Sequence, residues 1–598
     1  MDPRSGSADR RSHQALARLQ PHLTWVALLI YSLLAVGVFA GVWANPAGAW
    51  IGDNKDPKLF IWYLGWIPHQ LSQWHNPLVT DYLSYPPGVN LMWNTSLVFP
   101  ALVLWPITAT LGPVVAYNLL MTGSAALSAW LGFMASRRFV AGRAQGAFAG
   151  RAQGAFRTPL ICLFAGFLYG FSPGMMAQST GHPHAMIGLF PPIALLLGHE
   201  ILVLQRFRPA LMGGLAGLAA ALQLLTGEEV LATNALIVVL GAAMVALFHR
   251  SSVAEKLPYV IKAATAALLC FAILAIYPLT VQFFGPQRVF GNVQPQDVYV
   301  SDLLAFIVPN HVWLHNGATA GIVSHFTGNS TEDNAYVGLP LLVLFVFGLA
   351  AGWRRPSVRW AGLLTLLIAV LSLGPHLHVF GWTTPLWLPW TAVAKLPLMG
   401  NADPSRLMLV AFLGIGIVVG DLLARTALTP RSGRLAASLL VAGLVAVVPA
   451  IPATTTPTSV PSFFQSGGAV AGIPAGSVVL VTPFSSRQST DAMNWQTVAQ
   501  YRFRMPEGDA FTPGPYLGPH PSHLQASLDA LDQGRVVAVS PSERAEALRD
   551  LAAFGVGTIV VGPSRGRDAI VSYLMAVLGS PPMETGGVDV WWHLPLAS

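Results

Sequence analysis

Residues 52–96 read GDNKDPKLFIWYLGWIPHQLSQWHNPLVTDYLSYPPGVNLMWNTS. They follow an apolar run, Thr24 to Ala44, that is too long for the core of a signal peptide and reads as an uncleaved first membrane span. A polar stretch between apolar runs is a loop on one side of a membrane. It opens with Asp53 and Asp56 and continues into a Trp-rich stretch, Lys58 to Trp74, with the amphipathic spacing of an interfacial helix. It ends in the turn Tyr85-Pro-Pro-Gly88 ahead of Asn90. Beyond it, Leu97 to Thr110 is apolar but short and broken by Pro100 and Pro106, which predicts a juxtamembrane or re-entrant helix rather than a crossing.

Composition agrees. Of 598 residues, 53% are hydrophobic and 10% charged, with a mean hydropathy of +0.55. A soluble domain carries about 25% charge, so the chain is an α-helical polytopic membrane protein and the water-soluble enzyme classes are excluded for it as a whole. The net charge of +7 would suggest nucleic acid in a soluble protein. Here the basic residues sit in short clusters between apolar runs, as cytoplasmic loops require, and no nucleic-acid partner is expected. They are mostly Arg, with lysine only at Lys55, Lys58, Lys256, Lys262 and Lys395, which together with abundant Ala, Gly and Val suggests a GC-rich bacterial genome. Cys162 and Cys270 both lie inside apolar runs and offer no disulfide framework.

Further apolar runs lie at about 114–136, 159–176, 184–204, 209–226, 230–248, 263–281, 336–353, 360–374, 407–424 and 435–452, which with the first predicts about eleven spans. Arg4, Arg10, Arg11 and Arg18 put the N-terminus inside, and the basic connections after the second, fourth, sixth, eighth and tenth spans (Arg137 to Arg157, Arg206 with Arg208, His249 to Lys262, Arg354 to Arg359 and Arg425 to Arg434) all alternate onto that side. One of them, 141–156, is the octapeptide AGRAQGAF in tandem, a duplication in a tolerant loop. The expected division is a cytoplasmic tail 1–23, a transmembrane domain 24–452 with large outer loops 46–96, 282–335 and 375–406, and an extracytoplasmic α/β domain 453–598. In the last, Ser477–Pro483 and Gly557–Gly562 read as strands and Ser542–Phe554 as a helix leading into the second.

The inward connections are short and basic while the outward ones carry the ionisable groups, so the chemistry is expected outside. A first span, a carboxylate just beyond it, an aromatic juxtamembrane helix, a YPPG turn and a Pro-broken half-helix together resemble the GT-C superfamily of integral-membrane glycosyltransferases. Within that superfamily, G-D-x-x-D-P, N-P-L, Y-P-P-G-V-N-L, S-L-G-P-H-L and P-S-R-L are similar to bacterial membrane proteins of unassigned acceptor. The resemblance covers about residues 24–450. It implies a polyprenyl-phosphate-sugar donor, a glycan, glycolipid or protein acceptor, and a multi-pass protein of the cytoplasmic membrane with its active site outside. It also implies a catalytic carboxylate in the first loop, for which both Asp53 and Asp56 are candidates because the loop has no Asp-Glu or Asp-x-Asp string.

The residues support such chemistry independently. Sugar transfer to a hydroxyl needs a base, and Asp53, at the end of a packed span, is the more rigidly held carboxylate. Its alternative is a turn-capping aspartate. Asp56, ahead of Pro57, either initiates a helix or shares a divalent cation (Mg, Mn or Ca) or a sugar hydroxyl with Asp53. Asp81 is a third candidate. For the donor phosphate, His182 with His184, His376 with His378, and Arg406 in NADPSR supply positive charge or donors, and the two H-x-H pairs are also possible metal ligands. Glu228 and Glu229, costly so near hydrocarbon, are expected to bind acceptor or metal, as are Glu332 and Asp333. Tyr85 and Asn90 of the turn complete the substrate-binding set. His199, Glu200, Asp421 and Arg425 read as structural.

Two other classes stay open: a transporter or flippase of lipid-linked saccharide, and an inactive cell-envelope assembly scaffold. Against the first, no internal repeat or mid-span polar cluster is visible. The topology is directly testable. Cysteines placed in 141–156 and in 500–530 of intact cells should be labelled by a membrane-impermeant reagent only in the second set; labelling of the first set reverses the orientation.

Overall fold

The computed structural model describes residues 5–141, 152–292, 295–310, 316–332, 335–425, 430–451, 453–484, 490–514, 518 and 520–594. Asp333 and most of the tandem loop 141–156 lie outside them. The chain divides into two compact units: Met1–Ala44 with Leu119–Leu274 and Asn292–Thr454, and Asn45–Asn118 with Ala275–Gly291 and Thr455–Ser598. One edge of this division falls between Thr454 and Thr455, two residues beyond the expected border at 453. The first loop, however, folds with the C-terminal segment rather than with the spans.

The first unit is helical. Each of the expected apolar runs coincides with an apolar helix, and five helices among the described residues are long and apolar enough to cross a membrane. Pro404–Arg425 is the central one, with 78% of its apolar window buried, whereas Arg250–Phe284 has 11% buried and turns its flanks outward. The difference follows from the side chains. Gly416 lies against Ala165 and Gly420 against Val140 and Ile161, so neighbouring helices approach it closely on several sides. Its C-terminal end is neutralised: Arg355 donates to Asp421 Oδ2 at 2.5 Å and Arg425 to Oδ1 at 2.7 Å. Leu97–Thr110 forms two short helices, Val98–Val103 and Trp105–Leu111, as its prolines demand.

The second unit holds a four-stranded sheet. Val478–Thr482 and Val556–Val561 pair in parallel, and the latter is flanked by Val588–Trp591 and then Met583–Thr585, both antiparallel. The helices His523–Asp532, Pro541–Phe554 and Arg567–Leu578 bury Leu524, Leu528, Leu551 and Leu574 against Leu480, Ile559 and Val561. Local chemistry sets their ends. Ser522 and Gln525 form a capping box, Ser540 caps ahead of Pro541, and Gly555 closes its helix with φ +66°.

The first-loop helix, Asp56–Ser72, belongs to this unit's core. Trp62 and Trp66 are fully buried and stacked 4.9 Å apart. Trp62 donates to Gln496 Oε1 at 2.6 Å, and the Tyr501 hydroxyl donates to the Trp62 carbonyl at 2.9 Å. This corrects the expectation of an interfacial helix over Lys58 to Trp74: of Trp62, Trp66 and Trp74, only Trp74 is exposed. Periodicity shows which face is apolar; it does not show that residues 496 and 501 supply the cover.

Pro209–Leu224 crosses Val253–Phe284 at Gly213 and Gly217, where a Cβ would collide with the carbonyl oxygens of Ala263 and Ala267. Backbone atoms cannot swing aside as side chains do. Gly213→Ala should therefore cost about 1–3 kcal/mol, the range for overpacking, whereas Gly214→Ala, which meets nothing within 4 Å, should cost nothing. Thermal melts of both variants in detergent decide this, and equal melting temperatures would refute the close crossing.

Candidate functional site

The first-loop carboxylates sit on a tightly held backbone. The helix Pro113–Ser136 begins with Pro-Val-Val-Ala-Tyr-Asn, and the fully buried Asn118 spends its whole amide on the loop. Its Nδ2 donates to the carbonyls of Pro46 at 2.9 Å and Ala49 at 2.8 Å, and its Oδ1 accepts from the Ile51 N–H at 3.0 Å. Ala49–Ile51 also pairs antiparallel with Thr455–Pro457, and Thr456 donates to the Gly52 carbonyl at 2.8 Å. Asp53 comes next. Its Oδ1 accepts from the Lys55 N–H at 2.9 Å, and its carbonyl accepts from the Trp50 indole at 2.8 Å. The aspartate thus closes a turn.

Asp56 opens the helix Asp56–Ser72 with Pro57 behind it, a placement favoured by the helix dipole. Both carboxylates are half-buried, and the fully buried Tyr117 ring lies within electrostatic range of both. Two residues on, Lys58 is fully buried and its ammonium lies 2.6 Å from Asp491 Oδ1; Thr490 donates to the Lys55 carbonyl at 2.9 Å. Among the described residues no three His, Cys, Asp or Glu side chains gather as a metal site.

Of Tyr85 and Asn90, expected to bind substrate, Asn90 spends its amide on the backbone. The Asn90 amide donates to the carbonyls of Val281 at 2.8 Å and Pro286 at 2.9 Å and accepts from the Met92 N–H. Tyr85 donates its backbone N–H to Met505 and lies 5.5 Å from the Arg504 guanidinium, which also reaches Asp81 at 3.1 Å.

The other candidates lie in the first unit, and several of them meet. Arg406 donates to both Glu332 oxygens, at 2.6 to 3.2 Å, and to Glu229 Oε2, and its Nη2 lies 3.3 Å from Asp403 Oδ2. His182 Nδ1 lies 3.1 Å from Glu332 Oε1 and 2.9 Å from Gln178 Oε1, and Gln178 donates to Glu332 Oε2 at 3.2 Å. The His184 ring is buried 5.6 Å from that of His182. Burial alone would raise the Glu332 carboxyl, but Arg406 and His182 beside it hold it well below the usual carboxylate range. Glu228 takes the first position of the helix Glu228–Phe248, where a negative charge is favourable.

This changes the expected role of Arg406. A guanidinium met by three carboxylates presents no spare positive charge to a phosphate, and the carboxylate excess repels one. The group works as a buried lock among segments 178–182, 229, 332 and 403–406. The His376 and His378 pair is also engaged structurally. His376 Nδ1 lies 2.9 Å from Asp297 Oδ2, and the buried His378 ring lies 3.3 Å from the hydroxyls of both Thr327 and Thr383. Burial pushes His378 down, against the pull of Asp297 and Asp302.

Asn118, Tyr117, Lys58, Gln178 and Asp403 were not singled out from sequence. The only local signal was the Tyr-Asn pair entering an apolar run, and a buried Lys in a chain with so few. The first unit also has an open apolar cleft of about 270 Å³ lined by Leu195, Ile237, Trp360, Leu364, Val410 and Leu413, whose chemistry suits a hydrocarbon chain.

Arg406→Gln should destabilise the protein by about 3–5 kcal/mol at neutral pH, since it leaves buried carboxylates facing one another. The sign with pH follows from Glu332. Its depressed pKa contributes stability that is present above the unfolded carboxylate value and lost as pH falls through the folded one. Without Arg406, burial raises the Glu332 carboxyl, so the variant takes up a proton first and the gap between wild type and variant should narrow progressively as pH falls into and below the carboxylate range in detergent melts; a pH-independent gap would show that the carboxylates are not what Arg406 stabilises.

No family model and no curated protein matches the sequence. Solved structures do. The mycobacterial arabinofuranosyltransferase AftD aligns at 15% identity with a TM-score of 0.54, over 96% of this chain and 40% of its own. The chain thus spans well under half the length of that protein. The Archaeoglobus fulgidus oligosaccharyltransferase aligns at 14% identity with a TM-score of 0.47, over 93% and 71%, and ArnT from Cupriavidus metallidurans at 13% and 0.42, over 96% and 98%. The chain thus shares the fold of AftD, and the likeness is one of fold.

Proposed function

We propose that the chain transfers a hexosyl or pentosyl unit from a polyprenyl-phosphate carrier to a glycan, glycolipid or protein at the extracytoplasmic face of the bacterial cytoplasmic membrane. The observation that carries the reading is the Asp53 turn: a half-buried carboxylate in a GT-C fold, on a backbone pinned by Asn118, Trp50 and Thr456. A base must be held near the acceptor oxygen before reaction, and such pinning holds it there without further ordering.

Asp53 takes the proton of the acceptor hydroxyl. That oxygen bonds to the anomeric carbon, the bond from the carbon to the phosphate oxygen breaks, and the lipid phosphate leaves with the electron pair. Asp56 positions the sugar or, with Asp53, holds a divalent cation. Two carboxylates fit an ion such as Mg²⁺, which takes one or two protein carboxylates and completes its shell with water and substrate phosphate. When bound, the ion neutralises charge on the leaving phosphate.

Purified protein should transfer isotope from a polyprenyl-phosphate sugar to an acceptor lipid or glycan. Asp53→Asn should lower the rate by about 10²–10⁴, the usual cost of a lost general base, with donor binding retained, and Asp56→Asn should cost less. A chelator should slow the wild type and Mg²⁺ restore it. A fully active Asp53→Asn with a dead Asp56→Asn exchanges the two roles. Movement of the carrier across the membrane without transfer would favour a flippase.

A further inference from the structure

The hairpin His376–Val379 and Trp382–Trp387 is rigid yet exposes its largest side chains. Trp382 is 67% exposed, Trp387 69% and Leu386 55%. Its tip is a two-residue turn with both residues left-handed, Phe380 at φ +55° and Gly381 at φ +75°, uncommon for an aromatic residue. The buried Asp302 holds it there by accepting from the N–H groups of Phe380 at 3.1 Å and Gly381 at 2.8 Å. The Phe380 ring stacks on His325 at 4.5 Å. At the base, His376 faces Asp297 and the Leu388 N–H donates to Pro375 at 2.8 Å. The connector beyond is fixed by the buried Trp390, whose indole donates to Gln296 at 2.8 Å, and then Lys395, Leu396, Pro397 and Leu398 are all exposed.

Holding two tryptophans in water at fixed orientation is unfavourable unless something covers them. The position identifies the cover. The hairpin begins four residues after the apolar helix Pro356–Ser372, whose Leu366 and Val370 are exposed on its flank, and the connector ends just before the span Pro404–Arg425. Exposed apolar side chains thus lie both on the apolar helix that precedes the hairpin and on the hairpin and connector that lead into the next span. Between 376 and 402 the chain has no acidic residue and one cation, Lys395.

We propose that this hairpin and the Lys395–Leu398 segment form a membrane-interface anchor, with the indoles and leucines at the boundary of headgroups and acyl chains and Lys395 among anionic phosphates. The anchor leads directly into Asp403 and Arg406, so it sets the depth of the buried charge lock.

The test uses the full chain in phosphatidylglycerol nanodiscs, with Cys162→Ala and Cys270→Ser as background and a nitroxide on a cysteine at position 386. Positions 370, on the lipid-facing flank, and 536, exposed in the second unit, serve as references. The ratio of oxygen to nickel-chelate accessibility at 386 should be several-fold above that at 536 and near that at 370. A ratio equal to that at 536 overturns the proposal, as does shielding of 386 by a soluble oligosaccharide, which would make the hairpin a sugar platform. In the unlabelled chain, brominated lipids should quench fluorescence less in Trp382→Ala/Trp387→Ala than in wild type; equal quenching also overturns it. Lys395→Glu should lower the ratio at 386 in phosphatidylglycerol but not in phosphatidylcholine, and an unchanged ratio in both overturns the role of Lys395.

Discussion

The first unit is organised by one buried cation. A guanidinium has a fixed fork of donors and no way to lose its charge, so in apolar surroundings each donor must find an acceptor. Arg406 finds Glu229, Glu332 and Asp403, and these carboxylates in turn could not be buried without it. Residues more than 170 positions apart are thereby drawn to one point. His182 and Gln178 complete the shell. The same charge balance decides chemistry: a cluster with more carboxylates than cations holds segments together and repels a phosphate.

The second unit solves a related problem with neutral groups. Asn118 places both halves of its amide on the backbone of the Asp53 loop, and the strand Thr455–Pro457 adds a second constraint. Hydrogen bonds to backbone fix a loop without adding charge beside the carboxylates it carries. Lys58 and Asp491 add a buried ion pair a turn further on. The segment after 455 is therefore part of what shapes the first loop.

Tryptophan illustrates how little residue type determines place. Trp62 and Trp66 are spaced as an interfacial helix would space them, yet Gln496 and Tyr501 cover them completely. Trp382 and Trp387 sit in an unremarkable stretch of sequence and stay exposed, because Asp302 and Asp297 hold their hairpin away from any protein cover.

The apolar helices, the half-helices around Pro100 and Pro106, the strands near 478 and 556 and the helix near 541 were all legible in sequence, because each is dictated by interactions within a few residues: hydrophobic period, proline, capping. Asp53 and Asp56 stand out as candidates on equally local grounds, being the carboxylates nearest the end of an apolar run. Tertiary structure alone decided that Arg406 is surrounded by carboxylates, that the Asn90 amide is spent on the backbone, and that Asn118 holds the loop. Each of these depends on partners tens to hundreds of residues away, and the partner of a charged or amide side chain is set by where the packed helices bring it, which no local pattern encodes.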